Sequence, residues 1–312
     1  MAIPGKTGEM YEDDSRIDRD SIDVPLVRRL VAAQFPQWKS LRVERVEPEG
    51  WDNRTFRLGD SMKVRMPTGA WYALQVEKED RWLPRLAPHL PLRIPKPLAR
   101  GEPADGYPWP WSVSDWLEGE VATTAPIADP TRFAEAVSGF IKALRRIDPT
   151  GGPPPGKHNF FRGGPVAIYD GETRAALTAL AGRIDTSAAA AVWEAALRSE
   201  YRGPPVWFHG DMSSGNLLVR NGVAHGVIDF GTSGVGDPAC DLVIAWTLFR
   251  GESRDAFRAT VPAGKAEWAR ARGWALWKAL ITLTRRIDTH PDEAAKACQV
   301  LEDVIADPVD TR

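Results

Sequence analysis

Apolar residues at positions 24, 27, 30, 31 and 35 fall on one helical face and predict a helix over 24–35. Short runs with strand character follow at 41–46, 55–58 and 62–66. Turn residues separate them: Gly50, Asp52 with Asn53, and Gly59 with Asp60. Helical spacing returns over 73–90, where Gln75, Glu77 and Glu79 precede the apolar Trp82, Leu83 and Leu86. The prolines of 91–97 break that helix, and 111–117 is another apolar strand. The first 117 residues therefore read as a small sheet with one inserted helix.

A hinge-like Glu118, Gly119 and Glu120 follows, and the pattern then turns helical. Helices are expected over 129–147, 169–183, 186–201, 240–250, 263–287 and 292–305. Two short strands, 217–220 and 224–228, flank Asn221 and Gly222, a hairpin signal. The polar stretch 1–22 reads as a disordered tail. The expected organisation is α+β: a tail at 1–22, a small antiparallel-sheet lobe at 23–117, and a larger, mainly helical lobe at 118–312.

Composition narrows the partners. The 312 residues carry 40 basic and 42 acidic side chains, which gives no basic surface for nucleic acid and no polybasic membrane face. The only cysteines, Cys240 and Cys298, make neither a disulfide framework nor a zinc motif. The amino terminus lacks the apolar core of a signal peptide, so the expected compartment is the cytoplasm and the expected state a monomer or simple homodimer. The 13 tryptophans are an excess, and Trp246, Trp268, Trp274 and Trp277 fall in the late helices. Their spacing suits a core or a ligand pocket.

The densest polar cluster is His209, Gly210 and Asp211 with Asn216, followed by Ile228, Asp229, Phe230 and Gly231. Phosphoryl transfer from a nucleoside triphosphate needs a carboxylate at the acceptor hydroxyl and hard oxygen ligands to hold Mg²⁺. Asp211 fits the first role. Asn216 and Asp229 fit the second, returned to one place by the hairpin between them.

These blocks, together with Gly236, Asp237, Pro238 and Asp241, resemble the aminoglycoside phosphotransferase family of small-molecule kinases, over about 43–287. The resemblance implies a bilobal protein-kinase-like fold that binds ATP, or another nucleoside triphosphate, with Mg²⁺ in the cleft between its lobes. The small lobe would bind nucleotide; the large one would be catalytic and bind the acceptor. The segment 50–56 would cover the phosphates, with Asp52, Asn53 and Thr55 presenting backbone N–H groups. Arg65 is the expected phosphate cation and Lys63, on the same strand face, its rival. Glu79 is the expected partner of that cation, ahead of Glu77. Nucleobase contacts are expected along 113–117, at Asp115 and Leu117.

The same resemblance implies an antibiotic-resistance enzyme that phosphorylates a hydroxyl, most typically on an aminoglycoside. The near-neutral charge of residues 118–312, with 22 basic and 24 acidic side chains, weakens an electrostatic trap for a polycation. A macrolide, or a metabolite such as an amino alcohol or sugar, is the alternative acceptor. A catalytically silent nucleotide-binding protein is the alternative of another class. The near P-loop at 151–158 fails, because three prolines remove phosphate-cradling N–H groups. His209 is expected to bond backbone in the catalytic loop rather than act as a base, and Asp241 to support that loop.

Overall fold

The computed structural model describes residues 16–47, 50 and 52–307. Helix α1 (Val24–Gln34) starts where the Asp23 carboxylate accepts the Leu26 N–H at 2.8 Å. Strands β1 (Val43–Arg45), β2 (Asn53–Leu58) and β3 (Met62–Pro67) form an antiparallel meander, and α2 (Ala70–Leu86) follows. Strands β4 (Pro97–Gly101) and β5 (Trp111–Asp115) complete a five-stranded sheet of order β1-β2-β3-β5-β4. The sequence pattern missed β4. It is a proline-led edge strand with exposed alternate residues, so no apolar run marks it.

Alternation along β3 divides the sheet's two faces. Met62, Val64 and Met66 are buried with Phe56, Leu58 and Val113, and with Val27, Leu30 and Val31 of α1. Lys63 and Arg65 are turned to the opposite face, where α2 lies. The tail expected over 1–22 ends earlier than predicted. Arg16 bridges to Gly69, and Ile22 is fully buried in the same core. Positions 1–15 of that expected tail lie outside the described residues.

The remaining chain contributes β6 (Glu120–Val121), α3 (Pro130–Leu144), α4 (Asp170–Ala179) and α5 (Thr186–Arg198). Then come β7 (Val206–Phe208), β8 (Leu217–Arg220), β9 (Val223–Val227) and β10 (Gly234–Gly236). Helices α6 (Ile244–Thr247), α7 (Gly251–Thr260), α8 (Lys265–Arg286) and α9 (Pro291–Ala306) close the fold. The predicted β8–β9 hairpin forms, with Asn221 and Gly222 both at positive φ as a tight reversal requires. The helix expected over 240–250 is instead a 3-10 segment followed by the short α6, and α7 was not anticipated.

A second, larger core joins α3, α5, α8 and α9, and it also takes in Trp82, Leu83 and Leu86 from the end of α2. The Trp82 and Trp207 ring centroids lie 4.9 Å apart. Helix α2 is therefore shared: it covers the sheet and is rooted in the helical body. The tryptophan excess is largely core, because Trp246, Trp268, Trp274 and Trp277 are all buried. No helix among the described residues is long and apolar enough to cross a membrane.

Phe56 is fully buried, whereas Leu74 is 52% exposed. Denaturant unfolding should show Phe56→Ala costing about 3–5 kcal/mol, and Leu74→Ala within about 0.5 kcal/mol of the parent.

Candidate active site

The segment between β7 and β8 carries Asp211 and Asn216, and Asp229 follows β9. Backbone and side-chain bonds lock these pieces together. His209 Nε2 lies 3.0 Å from the Ile228 carbonyl, and its Nδ1 accepts the Asp211 N–H at 3.3 Å. One carbonyl partner and one N–H partner fix the proton on Nε2. His209 is thus a backbone brace, as its sequence context suggested. Asp241 accepts the N–H groups of His209 and Gly210 at 2.9 and 2.7 Å. Burial pushes the Asp241 carboxyl up, while the two N–H donors oppose that shift. Gly210 has φ of 88°, and a Cβ there would lie 2.4 Å from the Thr232 carbonyl oxygen, so only glycine fits.

Asn216 Nδ2 donates to the Asp211 carbonyl at 2.9 Å and to its carboxylate at 3.0 Å. That orients Asp211 and Asn216 as a unit. Asp229 sits in the left-handed region, with φ and ψ both 65°. A non-glycine residue there is strained, and such strain is concentrated at functional sites.

Arg65 links the two halves. Its Nη1 donates to both Glu79 carboxylate oxygens at 2.9 Å, and its Nη2 donates to Asp229 Oδ1 at 2.7 Å. Glu79, not the exposed Glu77, faces the cation. Burial would raise the Asp229 carboxyl, but the Arg65 guanidinium beside it holds it below the usual carboxylate range. The paired acids in turn raise Arg65, against its burial. Lys63 and Arg65 both line a small cleft between α2 and the sheet. Burial, and then the neighbouring Arg65, push the Lys63 ammonium down to about 8.

A third carboxylate enters from the small lobe. Burial, and then the nearby Asp229, push the Asp52 carboxyl up to about 7, with Asp211 adding to the rise. Sequence reasoning assigned Asp52 only a backbone role, since proximity to acids far along the chain has no local signal. Its carbonyl in fact accepts from Thr68 N at 3.0 Å and Thr68 Oγ1 at 3.1 Å. Asn53 is buried at the start of β2, with its backbone opposite Pro67. Asp115 and Leu117 lie further along: Arg65 pairs with Ser112, and Asp115 pairs with Met62 at the end of β5 nearest the large lobe. The Asp115 carboxylate accepts the Lys96 N–H at 2.6 Å.

Residues 43–274 match the model of the phosphotransferase enzyme family. The chain belongs to this family. It is a phosphotransferase. No curated protein matches it significantly. The solved GDP and kanamycin complex of APH(2")-IIIa superposes with a TM-score of 0.67 at 18% identity, over 89% of this chain and 98% of the other. The ternary complex of APH(4)-Ia with AMP-PNP and hygromycin B gives 0.63 at 20% identity, over 89% and 97%. The streptomycin and ATP complex of APH(2")-IIa gives 0.56 at 17% identity, over 91% and 98%. At these identities the likeness is one of fold. The phosphotransferase thus has the bilobal, protein-kinase-like α+β architecture that its motifs implied.

Two outcomes follow from this geometry. Arg65→Ala leaves two acids without their cation and should lower stability by about 3 kcal/mol, whereas Lys63→Ala should cost under about 1 kcal/mol in denaturant unfolding. Burial, and then the Lys78 charge, push the His158 imidazole from 6.5 down to about 4. The unfolded chain therefore binds more protons between those values, so stability should fall as pH drops from 6.5 to about 4. His158→Gln should flatten that part of the stability–pH curve.

Proposed function

We propose that the phosphotransferase moves the terminal phosphoryl group of ATP, or of another nucleoside triphosphate, to a hydroxyl of a small molecule. One observation carries this reading: Asn216 holds Asp211, its carbonyl accepts the Ile228 N–H next to Asp229, and Arg65 joins Asp229 to Glu79. Asp211 accepts or orients the acceptor hydroxyl proton. Arg65, steadied by Glu79, faces the phosphates with a charge and a planar fork.

The donor set fits Mg²⁺. Asp229 is a hard oxygen donor, and the Ile228 N–H donates to the Asn216 carbonyl at 2.9 Å, which brings the neighbouring Asp229 close to Asn216. Asn216 adds an amide oxygen, and Mg²⁺ needs few protein ligands because phosphates and water complete its shell. Asn216 and Asp229 would hold it, and it would supply charge neutralisation across the phosphates. The chain's own contribution is position. His209 and Asp241 hold the loop that presents Asp211, so that a bound hydroxyl meets a fixed acceptor oxygen.

An aminoglycoside-type antibiotic is the first acceptor class, as in the kanamycin, hygromycin B and gentamicin complexes of the similar structures. A different observation favours a second class. Residues 118–312 carry 22 basic and 24 acidic side chains, which makes no acidic trap for a polycation. That suits a neutral or anionic hydroxyl metabolite better than a polycation.

A nucleotide-consumption screen against aminoglycosides, macrolides, amino alcohols and sugars identifies the acceptor. With it, Asp211→Ala should lower turnover by about 10²–10⁴-fold while nucleotide still binds. Unchanged turnover in that variant would refute the assigned role.

A further inference from the structure

The inner face of α2 carries Gln75, Lys78 and Glu79 at helical spacing. Glu79 meets Arg65. Lys78, 8% exposed, meets the large lobe instead. Its Nζ lies 2.6 Å from the Gly231 carbonyl, 3.0 Å from the Ser233 carbonyl and 3.0 Å from His158 Nδ1. Burial pushes the Lys78 amine down to about 7, against the charges of Glu79 and Asp229; as an ammonium it has three N–H donors and no acceptor, so these partners use all three. His158 Nε2 lies 2.9 Å from the Pro154 carbonyl. That carbonyl requires a proton on Nε2, which leaves Nδ1 as the lone-pair acceptor for Lys78.

Gln75 tightens the same junction. Its Nε2 donates to the His158 carbonyl at 3.4 Å, and a Cβ on Gly231 would lie 2.3 Å from its Oε1. The 3-10 turn Lys157–Asn159 is itself seated on β10, since a Cβ on Gly234 would lie 2.8 Å from Asn159 Nδ2. One amine therefore joins three pieces: the helix bearing Glu79, the segment two residues after Asp229, and a turn of the large lobe.

We propose that Lys78 is a positioning residue, a strut between the lobes that fixes α2 against residues 231–233 and so keeps Arg65, Glu79 and Asp229 assembled before nucleotide arrives. The link to metal-bound nucleotide rests on the phosphotransferase reading of Asp229. Lys78 touches neither Asp229 nor Arg65 and acts through the backbone. Without it, two carbonyls beside Asp229 lose their donor in a buried place, and the strained Asp229 backbone loses a nearby tether.

The test compares wild type, Lys78→Met, Lys78→Arg and His158→Ala by amide hydrogen exchange and by ATP binding with and without Mg²⁺. Lys78→Met should speed exchange over residues 230–236 by about tenfold and leave α8 and α9 unchanged. It should weaken ATP binding about tenfold with Mg²⁺ present, and under about twofold without it. Lys78→Arg, which keeps the donors, should recover most of both effects, and His158→Ala should give a smaller change in the same segment. Unaltered exchange at 230–236 in Lys78→Met, or equal loss of affinity with and without Mg²⁺, overturns the proposal. If Lys78→Met does not fold, His158→Ala with unaltered exchange there does so too. A wild type that binds no nucleotide refutes the proposed nucleotide-dependent reaction instead, and the exchange measurement still decides the strut.

Discussion

The site depends on one guanidinium reaching two acids from different parts of the chain. Arg65 comes from β3, Glu79 from α2 and Asp229 from the loop after β9. The pairs are mostly shielded, with Arg65 and Glu79 side chains 14% and 11% exposed. Removing one partner from such a pair strands the other charge, so each acid constrains where the cation can be. The cation in turn constrains how the sheet, α2 and the large lobe meet. Asp229 adds a second constraint, because a left-handed aspartate persists only where its surroundings over-determine it.

The large lobe supplies those surroundings with backbone bonds. His209 and Thr232 tie the loop before β8 to the segment that carries Asp229, and Asp241 holds the start of that loop. Each partner is buried or half-buried, and each bond satisfies a main-chain group that would otherwise be stranded. The carboxylates of Asp211 and Asp229 therefore stand on a braced frame. Their crowding is the complementary fact. Burial, and then Asp229 and Asp211, raise Asp52, and the arrangement is suited to added positive charge. Arg65 supplies part of it from within the chain.

Much of this was legible in the residues. The 209–216 and 228–231 blocks carry residue types that phosphoryl transfer requires, and the hairpin at Asn221 and Gly222 has a turn signal that needs no tertiary context. Alternation on β3 placed Lys63 and Arg65 together. Helical spacing from Leu83 and Leu86 back to Glu79 picked that residue over Glu77. Other features carried no local mark. The edge strand β4 lacks an apolar run, residues 16–22 pack only because a sheet lies beside them, and the tryptophans gave no sign of core or pocket. Lys78 looked like any helix lysine, since its three acceptors lie 80, 153 and 155 positions away.

The sequence by itself thus determined the chemistry: which carboxylates, amide and cation exist, and at what spacing. Spacing is enough there because short loops return nearby residues to one place. Only the tertiary structure decided which acid meets Arg65, that Asp52 joins the acidic cluster, that Lys78 spans the lobes and that the tryptophans serve the core. Those outcomes depend on how α2 seats against two bodies at once. Packing and burial between distant segments set that seat, and no local pattern encodes it.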